Sequence, residues 1–165
     1  WQDAQGKKRW TKDRVVSEIQ DRFIAGYPPD QLGWRPQAGE FSGGELIYHL
    51  AAAEQMFVGA VATGRWFYPG HARATHPTLP EALAYLEASH AIATALLAAL
   101  DDALLTQPCA TLEGPAVPAW RLLMAMVEHE IHHRSQFAAY LTLLGVTPPQ
   151  IYGLGVEDVI ARATG

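Results

Sequence analysis

Cysteine is nearly absent. The 165-residue chain holds one, Cys109, so no internal disulfide can form and a reducing compartment is expected. Basic residues are few, 12 Lys and Arg against 17 Asp and Glu, and they form no run or stripe. Nucleic acid binding needs clustered Lys and Arg for the phosphates, so nucleic acid is not an expected partner. No stretch of about 18 apolar residues could span a bilayer, and the opening WQDAQGKKRW has no apolar core like that of a signal peptide. The sequence therefore predicts a cytoplasmic protein with no membrane partner. Repeats of 20 to 50 residues are also missing, and strand-like pieces are short.

What is present is helix. The length suits one domain, residues 1–165, and 49% hydrophobic residues can supply its core. A first helix is predicted from Thr11 to about Ala25, stopped by Gly26 and Pro28-Pro29. Ser42-Gly43-Gly44-Glu45 is a capping box that opens a second helix to about Ala62. Thr78-Leu79-Pro80-Glu81 is another, with Pro80 in the first turn, and its helix is predicted to run to about Leu105. Pro118 opens a long helix ending at Gly145, and a short last one is predicted near Val156 to Arg162. The expected fold is all-α, a four-helix bundle with a short extra C-terminal helix.

The chemistry sits in EHEIHHRSQF, residues 128–137. His129 and His133 lie roughly 40° apart on one helix face, shared with Leu122, Met126, Phe137, Tyr140 and Leu144. His49 lies likewise on a stripe with Leu46, Ala53, Met56, Phe57 and Ala60. Core histidines without partners cost a few kcal/mol each, a cost that a divalent metal removes. Three neutral imidazoles would leave coordination positions open, as in catalytic sites. The competing reading is hydrogen-bonded core histidines, and spacing alone does not bring the two helices together. His132 points about 60° from His129, toward the flank of the stripe. His71 and His76 fall in a loop and read as solvated, or as caps on a site mouth.

Two other chemistries fit parts of the pattern. His129-Glu130-Ile131-His132-His133 matches H-E-x-x-H, the zinc peptidase motif with Glu130 as general base. Its metzincin extension fails, because Gln136 and Ala139 stand where glycine and the third histidine belong. Glu157 is the one downstream glutamate available as a third ligand. A di-iron bundle needs Glu-x-x-His pairs, which Glu130/His133 and Glu87/His90 supply. No inward glutamate completes it, since Glu54 points about 140° from His49. Cys109, after Pro108, reads as a buried inert thiol. Trp34, Trp66 and Trp120 read as core packing, or as lining of an apolar pocket or dimer face.

Three separated pieces resemble one family in its own order. Trp34-Arg35-Pro36, FSGGELIYHLAAAEQMF and MVEHEIHHRSQFAAYLTLLGVTPPQIYG are similar to the W-x-P loop, first metal histidine segment and histidine-pair signature of the DinB/YfiT-like proteins. The resemblance implies a four-helix bundle, usually a homodimer, with a divalent metal held by His49, His129 and His133. Zinc or nickel comes first among the metals, with iron or manganese next. Around the ligands His132, Glu130 and Tyr140 are candidates for supporting or pocket roles. The family also implies a metal-dependent transferase that moves a small-molecule thiol, such as bacillithiol, onto an electrophile in detoxification or stress response. The alternatives are a metal-binding bundle without turnover and an H-E-x-x-H peptidase.

Overall fold

A computed structural model describes residues 23–71, 78–150 and 155–163. The helix expected from Thr11 lies outside these, apart from residues 23–25, which are helical. Three long helices follow: α1, Gly43–Thr63; α2, Leu79–Ala98; and α3, Ala119–Leu143. A short α4, Val156–Ala163, comes last, and the sole sheet of the described residues pairs Pro108–Cys109 with Val117–Pro118. The fold is an all-α helical bundle.

Local chemistry sets the helix ends. Both predicted capping boxes form: Ser42 and Thr78 each accept from the backbone of the glutamate three residues on, which reaches back to the cap backbone. Gly64 closes α1 and Gly145 follows α3 with φ of 70° and 76°, a conformation that costs glycine no Cβ clash. The helix predicted to reach Leu105 stops earlier, at Ala98. Asp101 then caps a separate 3₁₀ turn, Asp102–Thr106, by accepting from Ala103 N. Competition from a short polar side chain ended the helix where apolar periodicity alone would have continued it.

Side-chain pairs fix the directions of the helices. Tyr48 meets Tyr85 with ring centroids 5.0 Å apart, Glu54 meets His90 at 2.9 Å, and Gln55 meets Ser89 at 2.6 Å. Numbers rise together along both helices, so α1 and α2 are parallel. Along α3 they fall, with Tyr140 bonded to Phe41 and Phe57 facing His129, so α3 is antiparallel to α1. Parallel neighbours need a long crossover: α1, 21 residues long, spans about 31 Å, and Tyr68, five residues past its end, is already back beside His49.

The core divides into two apolar clusters. One gathers Phe23, Ile24, Tyr27, Leu46, Phe137 and Leu141; the other gathers Val58, Val61, Ala93, Leu122, Leu123 and Met126. Between them α1 carries a polar layer, His49 toward α3 and Glu54 toward α2. This helix has the length and hydropathy of a membrane span, but 61% of its apolar window is buried inside the protein. It is the central helix of the bundle. Cys109 is buried, with its thiol 3.5 Å from the Ala60 carbonyl.

Candidate metal centre

The antiparallel pairing of α1 and α3 brings His49 against the one-turn pair His129 and His133. The three Nε2 atoms form a triangle with every edge 3.0 Å. Zinc holds imidazole nitrogens at about 2.0–2.1 Å, which puts them about 3.3–3.4 Å apart at tetrahedral angles and about 2.8–3.0 Å apart at right angles. The observed triangle sits at the right-angle end, and a small rotation of each ring reaches the other. Three histidine nitrogens are thus positioned to bind one metal ion.

Hydrogen bonding alone leaves this cluster poorly satisfied. A neutral imidazole has one donor and one acceptor. His133 Nδ1 lies against Gln136 Oε1, an acceptor only, so His133 keeps its proton there and turns a lone pair into the triangle. Such a bond to the outer ring nitrogen is how metal histidines are oriented. His49 Nδ1 faces the Tyr68 hydroxyl at 2.7 Å, and the same hydroxyl lies 2.9 Å from His71 Nδ1.

Electrostatics keeps the triad neutral. Burial, reinforced by the neighbouring imidazoles, lowers His49 to about 3 and His129 to about 4. His133 is lowered too, by burial first and His132 next, against the opposing Gln136 bond. Neutral imidazoles are the form that binds metal. Phe41 covers the site: its ring stacks on His49 at 4.8 Å and meets His71 edge-on at 4.7 Å. Tyr140 Oη donates to the Phe41 carbonyl at 2.9 Å, so Tyr140 supports the site through Phe41, and its hydroxyl is not turned toward the metal position.

The remaining candidates are spread around the triangle. His132 is exposed, its ring 4.8 Å from that of His133. Glu130 is raised to about 7, by burial first and then by Glu54, with Arg134 opposing. Glu54 and Arg134 are thus the charged groups that act on its carboxyl. Arg134 is half-buried, and its Nε has no hydrogen-bond partner. Glu157 lies on exposed α4, outside the ligand group.

Glu54 stays apart from the triad, as its helical position predicts. It points away from His49, yet it is buried, 7% exposed, and pairs with His90 at 2.9 Å across the α1–α2 interface. Burial raises its carboxyl against the lowering effect of His90. A central helix buries two faces, so 140° from the first face is still inside. His90 is engaged by Glu54 and does not join the ligand group, so the di-iron pattern is not assembled among the described residues.

Sequence reasoning passed over Tyr68 and gave His71 only as a solvated loop residue or a mouth cap. Neither has a helical spacing to signal it; what places them is the crossover loop. The three tryptophans separate: Trp34 packs on the first cluster, Trp66 donates to Ala110 O at 2.8 Å, and Trp120 is 49% exposed. Trp66 also packs on Phe57 and lines a cleft of about 490 Å³ with Gln55, Gly59, Thr63, Phe67 and Ile92, away from the triad.

A family model described as the DinB superfamily matches residues 16–137, a span that includes all three histidines. The chain belongs to the DinB superfamily. Solved DinB-like proteins share its fold. One from Bacillus subtilis superposes with a TM-score of 0.65 at 19% identity, over 84% of this chain and 97% of that one. Another, from Bacillus cereus, gives 0.64 at 19% identity over 86% and 93%. No functionally curated protein matches the sequence.

Proposed function

We propose that this DinB protein is a cytoplasmic metal-dependent transferase that moves a low-molecular-weight thiol onto an electrophilic substrate. The observation behind the reading is the triangle of three neutral Nε2 atoms with 3.0 Å edges. Such a donor set carries no charge, so a divalent ion held by it keeps its full positive charge and lowers the pKa of a bound thiol, as zinc does for water. The chain's own residues hold the arrangement: Gln136 fixes His133, Tyr68 faces His49, and Phe41 screens the face of His49. Zinc and nickel are the first metals to try, then iron and manganese. The homodimer expected from the sequence resemblance belongs to the same proposal, and sedimentation equilibrium decides it.

The peptidase reading loses ground on one observation. Glu130, which would have to act as base, is raised to about 7 by burial and then by Glu54, so much of it already holds a proton near neutral pH. A bundle that binds metal without turnover remains the rival. Cobalt-substituted protein separates the two: a transferase develops a thiolate-to-metal charge-transfer band on adding a small thiol, and consumes an electrophile such as a haloarene. No band with any thiol would overturn the transferase proposal. Casein cleavage abolished by Glu130→Gln would replace it with peptidase activity.

A further inference from the structure

One hydroxyl, Tyr68 Oη, lies between two imidazole nitrogens, 2.7 Å from His49 Nδ1 and 2.9 Å from His71 Nδ1. A hydroxyl has one proton, so it donates to one of these rings and accepts from the other. Two arrangements satisfy all three groups. In the first, His49 Nδ1–H donates to Tyr68, whose hydroxyl donates to His71 Nδ1. In the second, the order is reversed: His71 Nδ1–H donates to Tyr68, and Tyr68 donates to His49 Nδ1.

The two arrangements differ at the triad. In the first, His49 presents a lone pair at Nε2 and is ready for metal. In the second, His49 carries its proton on Nε2, 3.0 Å from His133 Nε2. His133 offers a lone pair there, because its own proton is held on Nδ1 by Gln136. The second arrangement therefore suits the metal-free site and the first suits the loaded one. Each ring is neutral and carries one proton in both end states: as the first arrangement replaces the second, His71 passes its Nδ1 proton to Tyr68 and Tyr68 passes its own to His49 Nδ1, while the His49 Nε2 proton leaves to water and His71 Nε2 takes one from water.

We propose that Tyr68 and His71 form a tautomer relay: metal occupancy at the triad switches His71 from its Nδ1–H to its Nε2–H form through the Tyr68 hydroxyl. Tyr68 is a positioning residue, acting on the metal through His49. The edge-on contact of His71 with Phe41, at 4.7 Å, holds its ring in place for the exchange. The crossover from α1 to the parallel α2 carries both residues past His49. The relay rests on the three-histidine site reading, and its test separates the two.

The test uses full-length protein with ¹⁵N-labelled histidine, stripped of metal and titrated with zinc, read by long-range ¹H–¹⁵N correlation. The expected result is that one equivalent of zinc moves His71 from the Nδ1–H to the Nε2–H pattern. In Tyr68→Phe, zinc still binds one per chain, His71 no longer responds, and the dissociation constant weakens about 10- to 100-fold, the usual loss for an outer-sphere partner. His71→Ala keeps the Tyr68 oxygen as acceptor, so its affinity stays within a few fold of wild type. Tyr68 is 37% exposed, so the phenylalanine variant is expected to fold. If zinc binds the wild type and His71 does not change tautomer, the relay is overturned while the metal site stands. If Tyr68→Phe binds zinc as tightly as wild type, the positioning role is overturned. If the wild type takes up no zinc, the three-histidine reading fails and the relay fails with it.

Discussion

Metal addition should stabilise the folded chain, and loss of a ligand should cancel that gain while leaving the stripped protein no less stable; the triangle gives the size. An ion that binds the folded chain alone stabilises it by about 2.7 kcal/mol at 100 times its dissociation constant and about 4.1 kcal/mol at 1,000 times. For a domain of this size each kcal/mol moves Tm by about 2–4 °C. Saturating zinc should therefore raise Tm by about 5–11 °C at the lower concentration. Without metal, three nitrogens 3.0 Å apart are a burden, since a half-satisfied buried polar network costs more than an apolar one. His129→Ala in the stripped protein should thus leave Tm unchanged or slightly higher. In zinc the same variant should lose most of the shift. Differential scanning calorimetry of wild type, His49→Ala, His129→Ala and His133→Ala, each stripped and zinc-loaded, measures both signs. An equal zinc shift in wild type and His49→Ala would refute a site shared between α1 and α3. Variants that lose several degrees in the stripped state, with zinc ineffective throughout, would show that the histidines serve as hydrogen-bonded core residues.

Three more outcomes follow from other contacts. Gly43→Ala would drive its Cβ into the buried Tyr27 ring, 2.5 Å from its hydroxyl; overpacking of this kind costs about 1–3 kcal/mol in urea denaturation. Tyr27 Oη is buried without a partner, so Tyr27→Phe should be near neutral alone and recover part of that loss in the double variant; strict additivity would contradict the contact. Tyr140→Phe removes the bond to the Phe41 carbonyl and should cost about 1 kcal/mol, with Phe41 less firmly placed over His49 and zinc affinity lowered less than tenfold. The metal-free protein should also lose stability in acid. Folded-state values of about 3 and 4 for His49 and His129 lie below the ordinary 6.5, so the unfolded chain takes up protons first and stability present above pH 6.5 drains away as pH falls toward those values. Glu130 acts oppositely: raised from 4.5 to about 7, it stabilises at pH below 4.5 and its contribution is lost as pH rises through 7. The two trends offset one another between about pH 4.5 and 6.5, which leaves the histidines unopposed below. Urea midpoints should accordingly fall most steeply from about pH 4.5 to 3, and a flat profile there would mean that the imidazoles are well solvated.

The sequence made the three clustered histidines legible because each sits on a helix with a regular period. His129 and His133 share a stripe with Phe137 and Tyr140, which are buried, and the capping boxes at Ser42 and Thr78 mark where two helices begin. Glu54 points away from His49 as its position predicts, but its burial was not legible, for the reason that made His49 easy. One apolar stripe was assigned to the helix, whereas a central helix packs on both neighbours and buries a second arc, where Glu54 pairs with His90 and Gln55 donates to Ser89. The end of α2 was missed because apolar residues continue through Leu104 and Leu105, although they belong to a separate 3₁₀ turn capped by Asp101.

Helix direction was the least legible feature, and it has the largest consequence for the site. A periodic pattern is the same read in either orientation, so nothing in the stripes of α1 and α2 shows that they run parallel. Once they do, the connection has to travel back along the bundle and can pass the level of His49 on the way. That passage places the Tyr68 hydroxyl 2.7 Å from Nδ1 of His49, a helix residue 19 positions earlier, with His71 bonded to the far side of that hydroxyl. An up-and-down bundle with a short turn in this place would have no loop over the triad. His49 would then face solvent through Nδ1, free to take either tautomer. The parallel pair of helices is thus what gives the site its outer layer, and shortening the crossover while leaving every ligand in place should weaken metal binding in the same way as Tyr68→Phe.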